Sequence, residues 1–337
     1  MSIKIRLSRS IEEWVAHQEA RGLARGTIRT RKSTLGIFQR HTGDIYVENI
    51  NHRHIDTFFA ANAWSERTRN LKLGQLRVFF EWARNRRYLG RDTDPTFGWR
   101  MLQPVDETPR IRIPVGEWGQ LFEACEHPTE KIAVATGLYL FLRGSEQRAL
   151  QVKHVRLEDG EIDVYRSKSR EWDAMPISSE LDTHLRTYLT WYATQTAIQP
   201  DHFLLAPRVV GTLARDESTS RLVAGTGKID PTRPHTKPHL IVQRVLGRAG
   251  YATAGEGEHT LRRSGARAYF DVLAENGYDG ALRRVQSMLG HKNSLVTETY
   301  LGLDLDRRIR NEEVSGKPMF PNAQADNVVD IRDGRSG

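Results

Sequence analysis

Five places along the 337-residue sequence carry side chains suited to a phosphodiester: Arg143, Lys168, His259 with Arg262, His291, and Tyr300. A phosphodiester resists attack because its oxygens are anionic. A site that breaks one must neutralise the charge that builds up around a pentacoordinate phosphorus. The guanidinium groups of Arg143 and Arg262 can each donate paired hydrogen bonds to non-bridging oxygens, and they stay charged at any working pH. Donors set in place beforehand are the largest expected contribution to rate. A tyrosine hydroxyl, with a pKa of about 10, is protonated at neutrality, so Tyr300 as a nucleophile needs a cationic field and a base beside it. Taken singly, each residue has an ordinary explanation. His259 and Arg262, three apart, share a helix face as many such pairs do, and Tyr300 would pass for a half-buried core aromatic.

The elements that must position these groups fall into two regions. Residues 1–103 read as a helical module. Ser10-Ile11-Glu12-Glu13 forms a capping box for a first helix that Gly22 can close, and a second runs from about Thr27 to Arg40. A third begins near Asn51, and Ser65 can cap a long fourth that ends near Gly90. Arg29, Arg31, Lys32, Arg67, Arg69 and Lys72 cluster in the opening turns of the second and fourth helices, where they are candidates for DNA contact. Pro104, Pro109 and Pro114 punctuate a predicted extended linker over 104–113. A mainly helical domain with a small antiparallel sheet is expected over 114–310. In it, Gly160–Tyr165 alternates like a strand and Trp172–Ile177 reads as its partner across a turn holding Lys168. Residues 207–235, rich in Gly, Thr, Arg and Pro, predict a long loop. Helices follow near 237–249, 259–276, 280–289 and 294–302, then a polar tail over 311–337.

Charge separates the same two regions. Residues 1–103 carry 19 Lys/Arg against 10 Asp/Glu, a net of +9, whereas the remainder has a net of −1. Basic excess confined to the first third fits a grip on nucleic acid. The longest apolar stretch, Ile132 to Leu142, is too short for a membrane span, and Met1–Arg6 lacks a secretory signal. Cys125 stands alone, which excludes a disulfide framework and a cysteine-based zinc site. No acidic cluster suggests Mg²⁺ ligands, and no Walker loop or dinucleotide turn is present. The expectation is an intracellular protein that needs no metal, ATP or other cofactor and has no membrane partner.

The order and spacing of the boxes resemble the tyrosine recombinase (phage integrase) family. Arg143-Gly144-Ser145-Glu146, followed by Leu150, is similar to the family's Arg-x-Ser-Glu-Leu-x-x-Leu. Lys168 precedes Pro176 as in the family's hairpin. His259-Thr260-Leu261-Arg262-Arg263 resembles His-x-Leu-Arg-His/Arg, Leu289-Gly290-His291 matches Leu-Gly-His, and Tyr300 falls at the nucleophile's place. The resemblance covers about residues 8–305. It implies a helical core-binding domain joined to a mixed α/β catalytic domain, and cleavage and rejoining of DNA through a 3′-phosphotyrosyl link. By the same resemblance His259 is the base, Lys168 the general acid, His291 a further phosphate donor and Glu146 a residue that orients the basic groups. Thr236 and Lys237 are further candidates for DNA contact.

Double-stranded recombination sites, a homotetramer working through a Holliday junction, and a directionality factor are the implied partners, in the cytoplasm of a bacterial host. About nine residues precede the first predicted helix, which resembles the simple type without an arm-binding domain. Two rivals differ in outcome. A type IB topoisomerase would relax DNA without exchanging partners, and a DNA-binding regulator would bind without a covalent product.

Overall fold

A computed structural model describes residues 2–103, 110–207, 214–215, 222–223, 229–251 and 256–303. The sequence expectations for 104–109 of the linker, for most of 208–228 in the long loop, and for 304–337 lie outside the described residues. The chain divides into two compact units, Met1–Pro109 and Arg110–Gly337.

The first unit is four helices: α1 (Leu7–Ala20), α2 (Arg25–Thr42), α3 (His52–Ala60) and α4 (Glu66–Asn85). Aromatic residues at helical spacing converge in its core, with Trp14, Phe38, Phe58, Phe79 and Phe80 fully buried. Trp14 meets Phe79 edge-on at 5.4 Å and Phe38 meets Phe58 at 5.1 Å, the favoured geometry for such rings. Ser65 caps α4 as expected, its side chain accepting from the Thr68 N–H. The first helix, however, starts three residues before the Ser10 box. Ser10 is buried inside it and donates back to the Leu7 carbonyl at 2.8 Å. Asp44, two residues past the end of α2, accepts from both the backbone N–H and the hydroxyl of Ser8. A carboxylate and a carbonyl from elsewhere in the chain, those of Asp44 and Ile45, thus take the N–H groups of Ser8 and Leu7, partners that no local motif could announce.

The second unit is mainly helical around a three-stranded antiparallel sheet. It opens with α5 (Trp118–Glu123), α6 (Pro128–Tyr139) and α7 (Gly144–Ala149). The sheet follows, ordered β1 (Val155–Arg156), β2 (Glu161–Arg166), β3 (Glu171–Pro176), with Ile162 opposite Met175 and Val164 opposite Asp173. Even-numbered residues of β2 face the core, so Ile162, Val164 and Arg166 are buried while the 167–170 turn reaches out. After α8 (Ser179–Gln195), β4 (Ala214–Arg215) pairs with β5 (Leu222–Val223). Four more helices follow among the described residues: α9 (Pro238–Arg248), α10 (Glu258–Glu275), α11 (Ala281–Leu289) and α12 (Ser294–Leu301). Among the described residues no helix is long and apolar enough to cross a membrane.

Helix α6 is buried nearly all round and packs against both α8 and α10. Glycine permits its approach to α10. A Cβ at Gly265 would fall 1.8 Å from the Leu138 carbonyl oxygen, and one at Gly137 would press on Leu261 at 3.0 Å. Just past α6 the chain turns through Phe141 with φ of 51°, a left-handed conformation costly for a bulky residue. The end of the predicted linker is not free chain. Ile113 is buried and donates to Ser264 Oγ at 2.9 Å, while Ile111 exchanges hydrogen bonds with Glu256 and Arg263. Two β-branched residues among the prolines supply the apolar surface that docks this segment on α10.

Candidate active site

Glu146 is the anchor. It sits at the third position of α7, 1% exposed, and its carboxylate accepts the backbone N–H of Arg143 at 2.9 Å, closing the helix end. The same carboxylate takes Arg143 Nη1 at 2.7 Å and Arg166 Nη1 at 3.2 Å, with Arg262 Nη1 at 3.7 Å. One negative charge therefore faces three guanidinium groups. Asp173 also pairs with Arg166, and the positive charge left over favours an anion beside the cluster.

The last turn of α11 holds the other side of these arginines. The Met288 carbonyl accepts from Arg166 at 2.7 Å, and the Leu289 carbonyl accepts from Arg262 at 2.6 Å and Arg143 at 3.4 Å. These are orphan carbonyls at the negative end of a helix, and cations are their natural partners. Gly290, with φ of 61°, then turns the chain into His291. Arg262 also donates to the Phe141 carbonyl, which explains what the strained turn after α6 accomplishes. Arg262 is 1% exposed. Burial, and next the charge of Arg143, lower its pKa to about 10, still far enough above neutrality to keep it cationic.

Tyr300, on α12, lies against this cluster. Its ring centroid is 5.9 Å from the Arg262 guanidinium carbon and 5.5 Å from the His291 ring, edge to face. Its hydroxyl donates to the His259 carbonyl at 3.4 Å. Burial pushes that hydroxyl's pKa up against the pull of Arg262, Arg263 and Arg143, so the proton is held at neutrality. His259, in the first turn of α10, is exposed. The protein around its ring, then the charges of Arg262, Arg263 and Arg143, hold it below the usual imidazole range and therefore neutral and able to accept a proton. His291 is driven down to about 4 by burial, then by Arg262, Arg143, Lys168 and Arg166. Its Nδ1 lies 3.1 Å from the Thr297 hydroxyl; when that hydroxyl donates, Nε2–H is left as a neutral donor.

The structure thus brings Arg143, Glu146, His259, Arg262, His291 and Tyr300 together. Lys168 stands in the exposed β2–β3 turn, close enough for its charge to bear on His291, and the Ser145 and Ser167 hydroxyls, 3.4 Å apart, tie that turn to α7. Arg166, two residues earlier, is buried and bound to Glu146, Asp173 and Met288. Strand alternation from Ile162 and Val164 is the signal that places it inside.

The candidate DNA-contact residues divide. Arg29, Lys32 and Arg67 are exposed on α2 and α4, and Thr236 and Lys237 are exposed before α9. Arg31 is bound to Gln18 at 2.7 Å, Arg69 stacks 4.8 Å from Trp99, and Lys72 lies 5.0 Å from Trp64. Burial lowers the pKa of Lys72.

Residues 115–306 match the phage integrase family. The chain belongs to that family. Its members are tyrosine site-specific recombinases, which cleave and rejoin DNA. Solved structures of the same fold include a lambda integrase dimer bound to a COC′ core site, at 16% identity and TM-score 0.61, covering 88% of this chain and 77% of that one. XerH recombinase on a palindromic difH substrate, post-cleavage, aligns at 16% identity and TM-score 0.60, covering 90% and 83%. A lambda integrase tetramer bound to a Holliday junction aligns at 17% identity and TM-score 0.58, covering 86% and 78%. No curated protein matches the chain in sequence.

Proposed function

We propose that Tyr300 is the nucleophile of this recombinase and that the surrounding residues divide the work of one phosphoryl transfer. The Tyr300 oxygen attacks phosphorus, His259 takes the phenolic proton, and the bond to the 5′ oxygen breaks as Lys168 gives that oxygen a proton. A 3′-phosphotyrosyl link and a free 5′ hydroxyl result. Attack by a 5′ hydroxyl from another strand reverses each transfer and reseals the DNA, so the bond energy is conserved. Arg143 and Arg262 stabilise charge on the non-bridging oxygens, and neutral His291 adds a third donor. The observation that carries this reading is the meeting of Arg143 and Arg262 on one carbonyl, that of Leu289, beside the Tyr300 ring. Both are positioned in advance and outnumber their carboxylate.

The basic helical unit, through Arg29, Lys32 and Arg67, grips the duplex, and Thr236 and Lys237 add contacts from the catalytic unit. Four copies assemble on two sites in the cytoplasm of a bacterial host, and a directionality factor can bias the exchange. The lambda integrase tetramer on a Holliday junction supports this assembly by shared fold. A supercoiled plasmid carrying two copies of the site that the protein selects tests the reading. In chelator and without ATP it should yield recombinant circles; relaxation with no exchange of partners would contradict it.

A further inference from the structure

Beside the arginine cluster stands a carboxylate with no part in the steps above. Glu258 is the first residue of α10, directly before His259, and it is partly buried. Its carboxylate lies against Gly144, the first residue of α7 and the direct neighbour of Arg143, and the Gly144 backbone N–H favours its charged form. That seat exists because residue 144 has no side chain: a Cβ there would lie 1.8 Å from Glu258 Oε2 and 2.3 Å from its carboxyl carbon. Two helix N-termini meet at this point, and their free N–H groups favour a carboxylate. From the other side Gln243 of α9 donates to the Glu256 carbonyl at 3.3 Å, steadying the turn that enters α10.

The arrangement is costly. Glu258 Oε1 is buried without a hydrogen-bond partner, and burial raises the carboxyl pKa against the opposing charge of Arg148. An apolar side chain would avoid both costs, but it would leave the Gly144 N–H with no oxygen beside it. We propose that Glu258 is a positioning residue whose seat on Gly144 locks Arg143 and His259 in register for the phosphodiester, acting through the backbone and without touching DNA. This inference rests on the function proposed above.

The test uses full-length protein and a nicked duplex carrying the sequence that the protein selects from a random duplex pool. Adduct formation in a single turnover, affinity for the same duplex and thermal midpoint are measured for each variant. Glu258→Ala should slow the covalent step on the order of tenfold or more, because small misplacements of reacting groups are expensive. Its DNA affinity should stay within about twofold, since a group that acts on the transfer step alone leaves ground-state binding intact. Glu258→Gln keeps the side-chain shape that fills the seat on Gly144, with an oxygen beside its N–H, and should return to within about threefold of wild type. Gly144→Ala, whose Cβ displaces the carboxylate, should reproduce the loss, and the double variant should be no slower than either single one, because both break the same contact.

A wild-type rate in Glu258→Ala, equal slowness in Glu258→Gln, or losses that multiply in the double variant would each overturn the proposal. Should Glu258→Ala not fold, Gly144→Ala carries the test, and a wild-type rate there overturns it. Absence of any adduct with the wild-type protein would instead remove the proposed function on which this rests.

Discussion

Glu146 ties Arg143, Arg166 and Arg262 into one buried network, and the three arginines differ in what they have left to give. Arg166 spends its donors on Glu146, Asp173 and Met288, so its removal is a matter of stability. Arg166→Ala should lose about 3–5 kcal/mol in urea unfolding, the penalty for breaking a buried pair. Lys168→Ala should instead keep its stability and lose cleavage. A bridging 5′-phosphorothiolate leaves without protonation, so this variant should regain much of its rate on that substrate, whereas Arg143→Ala and Arg262→Ala should not. Rescue of Arg166→Ala with none for Lys168→Ala would reassign the acid. The proposed general base has a pH signature. Protonation of His259 removes the base, so kcat/KM falls as pH drops through its pKa in the free enzyme. The site holds that pKa below the ordinary 6.5, so the fall should set in at lower pH than for an unperturbed imidazole, and the low-pH limb should vanish in His259→Ala. The residues that the fold gathers at the site, Arg143, Glu146, His259, Arg262, His291 and Tyr300, had been singled out from residue type and spacing. Glu258 was not, because a carboxylate next to a histidine carries no signal until Gly144 is folded against it.

At the scale of elements, the site depends on how closely α6 and α10 approach. Gly265→Ala should cost about 1–3 kcal/mol or more in urea, since the added methyl meets backbone that cannot swing aside. It should also slow adduct formation, because the Phe141 carbonyl and Arg262 lie across that same contact. An unchanged unfolding midpoint would show that the helices are free to separate. Local patterns made several elements legible: the Ser65 cap, the alternation of β2, and the periodicity of α9 to α12. They failed where the partner was distant in sequence. The Ser8 N–H at the start of α1 is taken by Asp44, and Ile111 and Ile113 among prolines read as linker until Glu256 and Ser264 supply their hydrogen-bond partners.

Across the whole molecule, charge is distributed by unit. The first third holds the basic excess, while in the second unit Arg143 and Arg166 share the Glu146 carboxylate. DNA affinity should therefore fall steeply with salt, and Arg29, Lys32 and Arg67 should account for part of the slope. Replacing all three by Ala should reduce the slope of log K against log salt by about 2–3, close to one ion released per lost phosphate contact. An unchanged slope would place the electrostatic grip elsewhere.

The most direct test of the account is where DNA becomes attached. The covalent complex formed on a nicked duplex should, after nuclease and protease digestion, yield a nucleotide linked through its 3′ phosphate to the peptide containing Tyr300. Tyr300→Phe, which keeps the ring against Arg262 and His291, should bind the duplex with unchanged affinity and form no adduct. An adduct that persists in that variant, or a nucleotide found on another residue such as Tyr269 or Tyr278, would contradict it.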